Sequence, residues 1–590
     1  MKRSEVQAAD KWRLEAMFES DAAWEEEFKA FKKRVGRLKG FSGGLNTEDR
    51  IFDCLTLSDA LDVTLERLYC YARMRRDENG VADKYVSMAD RASMALTDYA
   101  ALAAFISPEL CALDEAFLRK LIDDPRFADF SYGLSELARK KRYILSEREE
   151  KILALSGGAL DMFQDVFGKL DYIDLKFPKV RTGDSRVQLT HGSYALLLQN
   201  RDPAVRKAAF TGIYKSYLAL INTVAATYAG SVKADNFYAK ARGYESSLSK
   251  ALYNENVPVA VYENLLDAVG GNLRYVHDYV ALRKRLLGGE KLHVYDLYVP
   301  LVENAELAMD YPAAYELVKE GLAPLGAEYR ALLETAYRDG WIDVYETENK
   351  RSGAYSWGAY GTHPYVLLNY TKTTHDVFTV AHELGHAMHS YYSDAALPHA
   401  KAQYTIFVAE VASTVNEVLL LKHLLAATED KKLKKYLLSY YLDMFRTTLF
   451  RQTMFAEFEK AAHEADADGR PLTPKSLSDI YYKLNKKYYG PALTHDSLIR
   501  YEWARIPHFY TAFYVYKYAT GITAAVNIAA AILKEGEPAV DRYKAFLKSG
   551  GSDSPYELLK LTGVDLGEKT PYETAMNEFK NTLDTLKSMS

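Results

Sequence analysis

A helical period repeats along most of this 590-residue chain and constrains its fold more than any other feature. Apolar residues recur every three or four positions between charged ones, which is the pattern of helices that bury one face. The segments with this pattern are 18–40, 58–80, 84–106, 112–123, 133–155, 203–240, 260–287, 305–338 and 430–465. Because the chain is longer than one compact core usually is, we predict a mostly α, multi-helical protein with two lobes.

Two segments depart from the helical pattern. Residues 170–195 carry Pro, Gly and β-favouring residues, which predicts a small hairpin and a seam between the lobes. We therefore expect an N-terminal helical lobe at 1–190 and a second, catalytic lobe at 191–590. Residues 339–372 hold a glycine-punctuated aromatic run, in which 364–370 has the composition of a strand.

Charge and cysteine content exclude several classes of protein. The net charge of −5 and the isoelectric point near 6.3 give no basic surplus for nucleic-acid binding. The chain has no run of about 18 uncharged apolar residues, so no membrane span is expected, and its first residues have no apolar stretch typical of a signal peptide. The cysteines, Cys54, Cys70 and Cys111, are too few for a disulfide framework. We expect free thiols and a cytoplasmic protein.

The segment 379–389 contains the motif with the clearest chemistry. His382 and His386 are four residues apart, so on a helix they lie on one face and can share one zinc ion. Glu383 lies close enough to polarise a water held by the metal. Val377, Ala381, Leu384 and Met388 recur at helical spacing and predict the buried stripe of this helix.

A catalytic zinc site needs a third protein ligand. The metzincin arrangement is excluded, because Tyr392 occupies the position of its third histidine. His389 is a possible ligand, although we expect it to line a cleft. The apolar helix predicted at 404–427 contains Glu410 and Glu417, which share a face, and a carboxylate there is costly to bury unless it is paired or metal-bound. Glu410 would complete a His2Glu site, with Glu417 as an outer partner that orients a ligand.

Several segments resemble the oligoendopeptidase F branch of the thimet oligopeptidase family. They are HELGHAMHS followed by FVAEVASTVNE, RSGAYSWGAYGTHPYVLLNY, HFYTAFYVYKYATG, LQNRDPAVR and HVYDLYVPL, and the likeness covers about residues 110–585. The resemblance implies a clam-like fold with a deep substrate channel and a small β element next to the zinc helix. It implies one Zn2+ per chain, held by His382, His386 and Glu410, with Glu383 as general base. It also implies short unstructured peptides as substrates, bound along the glycine-rich strand.

The same resemblance implies a His and Tyr pair near the C-terminus that stabilises the oxyanion. His508 and Tyr518 are the leading pair, with Tyr514 as a second candidate. The tyrosine spacing differs from that of the thimet branch, so Tyr510 and Tyr516 also stay open. Tyr510, Tyr514 and Tyr518 would lie along one helix stripe, which is also the pattern of an aromatic core.

Two other functions are compatible with the sequence. A zinc carboxypeptidase or dipeptidase on a similar fold would need a cation to bind a terminal carboxylate, and Arg500, Arg505 or Lys517 could supply it. A helical peptide-binding protein without catalysis would have an incidental HExxH motif. The sequence does not indicate the oligomeric state.

Overall fold

Helices account for most of the structure, a computed structural model that describes residues 1–303, 305 and 307–590. The α-helices of the first half are α1 Asp21–Arg34, α2 Glu48–Glu78, α3 Asp83–Ala103, α4 Ile106–Ala112, α5 Glu115–Asp123, α6 Ser131–Lys140, α7 Glu147–Leu160, α8 Met162–Lys169, α9 His191–Leu198, α10 Pro203–Ala219, α11 Ile221–Ala241, α12 Ser247–Asn254, α13 Val259–Gly271 and α14 Leu273–Leu287. Those of the second half are α15 Tyr311–Gly321, α16 Ala327–Arg338, α17 Thr374–Ala396, α18 His399–Ala402, α19 Ile406–Ala427, α20 Lys431–Met444, α21 Arg451–Ala467, α22 Pro474–Tyr489, α23 Tyr516–Glu535, α24 Glu537–Leu547, α25 Pro555–Lys560 and α26 Thr570–Ser588.

The strands are short and form three small sheets in the described part of the chain. β1 Lys179–Thr182 and β2 Ser185–Gln188 make an antiparallel hairpin. β3 Leu292–His293 pairs in parallel with β7 Leu493–Thr494. The third sheet has the order β4-β6-β5, with β4 Ile342–Asp343 parallel and β5 Tyr355–Trp357 antiparallel to β6 Tyr365–Leu367.

These elements confirm the mostly α class, the hairpin within 170–195 and a strand within 364–370. Several predicted helical segments are interrupted, however. The pattern over 133–155 is broken between α6 and α7, and that over 305–338 begins only at Tyr311, with residues 304 and 306 outside the described residues. Hydrophobic period alone does not show such breaks, because apolar spacing continues through the short linkers.

The chain divides into two compact units, each assembled from three chain segments. Unit 1 comprises Met1–Arg142, Glu306–His423 and Ile528–Val564, and unit 2 comprises Tyr143–Ala305, Leu424–Asn527 and Asp565–Ser590. This division gives two units, as expected for a two-lobed fold, but they alternate along the sequence. The single domain boundary at residue 190 stays a prediction.

In unit 1, the N-terminal segment packs against the three-stranded sheet. The Arg13 N–H donates to the Gly340 carbonyl at 2.7 Å, and the Val344 N–H donates to the Asp10 carbonyl at 3.0 Å. The Trp12 and Tyr365 rings meet edge to face with centroids 6.3 Å apart. These contacts hold β4 and β6 in place, and β5 and β6 in turn pack on α17.

No helix in the described ranges is both long enough and apolar enough to cross a membrane.

Candidate functional site

Helix α17 begins at a capping box and carries the HExxH motif on its third and fourth turns. The Asp376 N–H donates to the Thr373 hydroxyl, and the Thr373 N–H donates back to the Asp376 carboxylate at 2.8 Å. This reciprocal bonding satisfies N–H groups that a helix start otherwise leaves unpaired. The predicted stripe of Val377, Ala381, Leu384 and Met388 is buried, which confirms the face assignment.

Gly385 allows α17 and α19 to pack backbone against backbone. A Cβ atom at this position would lie 2.5 Å from the Ser413 Cα and 2.6 Å from the Ala412 carbonyl oxygen. No side chain fits in that space, so glycine is required for the two helices to approach so closely. The close approach brings Glu410 of α19 next to the two histidines of α17.

The histidines of the motif and Glu410 converge on one point. The Nε2 atoms of His382 and His386 are 3.2 Å apart. The Glu410 Oε2 atom lies 3.4 Å from the Nε2 of His382 and 3.7 Å from that of His386. We call these three residues the metal cluster, since their ligand atoms lie within 4.8 Å of one another and could hold an ion.

The spacing of these atoms fits a tetrahedral zinc ion. Two histidine nitrogens bound to zinc at ordinary lengths stand about 3.3 Å apart, and a nitrogen and a carboxylate oxygen about 3.4 Å. The observed 3.2, 3.4 and 3.7 Å match this pattern closely. A donor set of two imidazoles and one carboxylate is also the one that zinc takes in catalytic sites with an open fourth position.

Two polar residues of α19 orient the metal cluster from outside. The Glu417 Oε1 atom lies 2.5 Å from the Nδ1 of His382, which leaves Nε2 of that ring facing Glu410. The Asn416 side chain is fully buried and donates to the Ala381 carbonyl at 3.0 Å. Its carbonyl oxygen accepts from the Tyr329 hydroxyl at 3.1 Å. Asn416 therefore ties α19 to α17 at the level of the motif.

Glu383 lies beside the metal cluster in a buried position. Burial raises the pKa of Glu383 to about 7; the charge of His382 and the Ser356 N–H act against the rise, while Glu410 and Glu417 add to it. A carboxyl group with a pKa near neutrality can both accept and return a proton.

Electrostatic interactions shift the pKa values of the two histidines of the metal cluster in opposite directions. Burial lowers the pKa of His382, but its hydrogen bonds to Glu410 and Glu417 outweigh burial and raise it. Burial and the charge of His382 lower the pKa of His386. Because histidine binds a metal in its neutral form, metal affinity at this cluster should fall as the pH is lowered.

The sequence led us to expect that His389 lines a cleft, and this expectation is wrong. Its ring is buried and stacks on the Tyr404 ring, with centroids 3.7 Å apart and planes inclined by 3°. Phe546 packs on it as well, at 5.2 Å. Burial lowers the pKa of His389 to about 3, so it is a neutral core residue. His389 lies seven residues after His382, on the same helix face two turns further along, where Tyr404 and Phe546 enclose its ring.

The leading His and Tyr candidates lie together in unit 2. The Tyr518 hydroxyl is 3.3 Å from the Nε2 of His508. The Tyr514 ring stacks near the His508 ring at 5.8 Å, and the Tyr514 and Tyr518 rings meet edge to face at 5.5 Å. We call these three residues the aromatic cluster. Burial, and after it the charge of Arg451, lowers the pKa of His508, so the imidazole is neutral near pH 7.

The other two tyrosines are core residues. The hydroxyl of Tyr510 is bonded to that of Thr227 at 2.8 Å, and its ring stacks on Phe167 at 4.4 Å. Tyr516 is fully buried, with its ring 5.2 Å from that of Tyr262. The predicted single-helix stripe is wrong. His508 and Tyr510 belong to a 3-10 helix, Pro507–Tyr510, and α23 starts only at Tyr516 after a turn at Phe513 with a φ of +55°.

Strand β5 forms one edge of its sheet and lies next to α17. Its partner among the described residues is β6, so its second edge pairs with no strand there. The backbone of Ser356, in the middle of β5, lowers the pKa of the Glu383 carboxyl group, against the larger effect of burial. The glycine-rich segment predicted to bind a peptide backbone thus borders the HExxH helix within unit 1.

Sequence reasoning did not identify Gly385 and Asn416 as residues that build the site. The sequence nevertheless contains an indication for each of these two residues. A glycine inside a helix costs about 1 kcal/mol relative to alanine, which implies a packing reason. An asparagine inside an apolar helix needs a buried partner.

The comparisons with known proteins agree with this geometry. The family model of Peptidase family M3 matches residues 196–578, and that of Oligopeptidase F matches residues 109–177. Oligopeptidase PepF of Bacillus subtilis (strain 168) is 43% identical over 100% of this chain and 88% of its own length. A Chlamydophila abortus protein of known crystal structure is 36% identical, with a TM-score of 0.93 and full coverage of both chains. The oligoendopeptidase-F of Enterococcus faecium is 34% identical, with a TM-score of 0.75 over 96% of this chain and 99% of its own.

A family model that covers most of the chain and relatives this similar over its whole length lead to one conclusion: the chain is a member of peptidase family M3.

Proposed function

We propose that this peptidase is a zinc-dependent endopeptidase that hydrolyses internal bonds of short, unstructured oligopeptides. The observation that carries the proposal is the metal cluster with Glu383 beside it on the same helix. The relatives named as oligopeptidase and oligoendopeptidase support the substrate class.

His382, His386 and Glu410 would hold one zinc ion per chain, and Glu417 would fix the His382 ring through Nδ1. When bound, zinc acts as a Lewis acid that polarises a carbonyl and lowers the pKa of water toward neutrality. Glu417 is well placed for its role, since a ligand histidine usually gives its second nitrogen to a carboxylate.

Glu383 would act as the general base and then as the general acid. Its burial, which holds its pKa near neutrality, suits a group that takes a proton from the attacking water and gives it to the leaving amine. The backbone of Ser356 in β5 lowers the pKa of this carboxyl group, against the effect of burial.

His508, Tyr518 and Tyr514 would stabilise the oxyanion that develops on the scissile carbonyl. The support is the pairing of the Tyr518 hydroxyl with His508, together with the resemblance of this segment to the oligoendopeptidase F branch. A neutral imidazole and a phenol are hydrogen-bond donors, and one such donor is commonly worth about 2.7–4 kcal/mol of the barrier.

The second edge of β5 would bind the substrate backbone by strand addition. Unpaired strand edges offer N–H and C=O groups that can bond to the backbone of an extended peptide. A folded protein exposes such an extended backbone less readily. The buried, unbridged thiols of Cys54 and Cys70 fit a reducing compartment, and we propose that the protein is cytoplasmic.

The exopeptidase alternative requires a cation that is available to a terminal carboxylate. Arg505 is instead bonded to Glu502 at 2.9 Å, and Lys517 is nearly buried and paired with Glu255. Arg500 packs its guanidinium over the Tyr482 ring at 4.7 Å. These partners favour the endopeptidase over the exopeptidase.

End-blocked and free-ended versions of one internally quenched peptide test the proposal. We expect equal kcat/KM for a peptide of about ten residues in both forms, because an extended peptide is bound through its backbone. Cleavage confined to the free-ended peptide would contradict endopeptidase activity and support the exopeptidase alternative. Binding of the blocked peptide without turnover, by zinc-loaded protein, would support the peptide-binding alternative.

A further inference from the structure

Glu459 is a buried carboxyl group that the mechanism above does not use. It lies on α21 with none of its surface exposed. Its Oε1 atom accepts the backbone N–H of Phe513 at 3.1 Å, and its Oε2 atom has no hydrogen-bond partner among the residues that the structure describes. Burying a carboxyl group in a core costs free energy when one of its oxygens lacks a hydrogen bond. The presence of Glu459 there therefore calls for a specific structural reason.

The structural reason is the backbone conformation of Phe513. Its φ of +55° is in the left-handed region, where a bulky side chain is strained. Such a conformation persists only where the surroundings hold it. The Phe513 ring is buried between His463, at 4.6 Å, and Tyr262, at 5.9 Å, while Glu459 holds the N–H.

This turn decides where Tyr514 lies. Residues 511–515 join the 3-10 helix that carries His508 to the start of α23, which carries Tyr518. The left-handed residue reverses the chain just before Tyr514, whose ring then lies 5.8 Å from that of His508. Without the reversal, the segment would continue as helix or strand and Tyr514 would leave the aromatic cluster.

We propose that Glu459 is a positioning residue for the aromatic cluster: its buried carboxyl oxygen holds the Phe513 N–H and so fixes the turn that brings Tyr514 to His508. This inference rests on the proposed role of that cluster in catalysis.

The group acts as a neutral acceptor. Burial raises the pKa of Glu459 well above its usual range, and Asp235 adds to the rise, while the Phe513 N–H and Lys517 act against it. Lys517 is paired with Glu255, and Asp235 lies 3.2 Å from the Nε2 of His463. A neutral acceptor can be replaced by an amide, whose carbonyl oxygen accepts the same N–H.

Three substitutions of Glu459 distinguish the loss of the hydrogen-bond acceptor from a general effect on folding. Glu459→Gln keeps the acceptor, Glu459→Leu removes it at similar size, and Glu459→Asp shortens the side chain by one methylene in case the Leu variant does not fold. Thr453→Val is the matched control, because Thr453 is buried on the same helix and its hydroxyl bonds only to the Leu449 carbonyl.

Amide hydrogen exchange of the peptide covering 509–516 and steady-state kinetics are measured on each zinc-loaded variant. We expect Glu459→Leu and Glu459→Asp to exchange the Phe513 amide faster and to lose about 10²-fold in kcat at unchanged KM and zinc content, as misplacement of a catalytic group does. Glu459→Gln and Thr453→Val should match the wild type in both readouts.

Two outcomes would overturn the inference while the proposed role of the aromatic cluster stands. One is wild-type kcat in the Leu and Asp variants while Tyr514→Phe is slow, which would leave the function of the aromatic cluster intact. The other is an equal loss in the Gln and Leu variants. If Tyr514→Phe, Tyr518→Phe and the Glu459 variants all keep wild-type kcat, the proposed role of the cluster fails, and the inference with it.

Discussion

The metal cluster and the aromatic cluster are built on different kinds of backbone. His382 and His386 are one turn apart on a regular helix, and Glu410 comes from a second helix packed against the first at Gly385. His508, Tyr514 and Tyr518 come from a 3-10 helix, a turn with a left-handed residue and the first turn of α23. Helical spacing predicted the histidines of the first set, and a carboxylate in an apolar helix indicated Glu410, whereas the second set depends on a turn that spacing does not show.

The difference also separates the effects we expect from substitution. In the proposed mechanism the metal cluster would hold the ion on which all turnover depends, so loss of the cluster should abolish activity. The aromatic cluster would contribute donors to one transition state, so its loss should slow activity and leave the metal in place.

The largest effect is expected for His386→Ala. Removal of one of three ligands should release the zinc ion and leave no measurable hydrolysis. Metal analysis by inductively coupled plasma mass spectrometry, after dialysis, together with a quenched-peptide assay, checks both parts. His375→Ala, an exposed histidine near the start of the same helix, is the control and should keep zinc and activity. Normal zinc content in His386→Ala would remove it from the ligand set.

Glu383→Gln should separate metal binding from catalysis. The amide cannot take the proton of the attacking water, so kcat should fall by about 10²–10⁴-fold or more while one zinc per chain stays bound. Stopped assays with metal analysis on the same sample measure both quantities. Glu429→Gln, an exposed residue beyond α19, is the control. Full activity of Glu383→Gln would rule out Glu383 as the general base.

Tyr518→Phe should lower kcat by about 10²–10³-fold with little change in KM, because the lost donor acts in the transition state. Tyr510→Phe is the matched control, since its hydroxyl bonds to Thr227 outside the aromatic cluster. If Tyr514→Phe shows the large effect and Tyr518→Phe does not, the oxyanion donor is Tyr514, and the pairing of Tyr518 with His508 has another role.

Glu417→Gln should have the smallest effect. It weakens the acceptor at 2.5 Å from the His382 Nδ1 without removing a ligand, and loss of such an outer partner typically costs about 10–100-fold in metal affinity or activity. Competition with a chelator of known affinity measures the change. An unchanged zinc affinity together with unchanged kcat would show that His382 does not need Glu417 to orient its ring.

The sequence predicted the class of fold and the residues that converge in the metal cluster. It did so because the HExxH spacing and the carboxylates in an apolar helix both follow from regular α-helical geometry. The same reasoning failed at His389, which shares the sequence neighbourhood of the motif but is buried against Tyr404 and Phe546.

Two further features could not be predicted from spacing. Tyr510, Tyr514 and Tyr518 were expected to lie along one helix stripe. Residue spacing cannot show that Phe513 adopts a left-handed conformation held by a residue 54 positions earlier. The alternation of the two units along the chain likewise depends on contacts between distant segments, which local pattern does not encode.

Reconstitution of the metal-free protein tests the central claim most directly. The chelated protein is titrated with zinc while hydrolysis of an end-blocked peptide is followed. The account predicts no activity without metal and a linear rise that ends at one zinc per chain, in step with occupancy of the site formed by His382, His386 and Glu410. Full activity of the metal-free protein, or a chain that binds zinc at these residues and gains no activity, would contradict it.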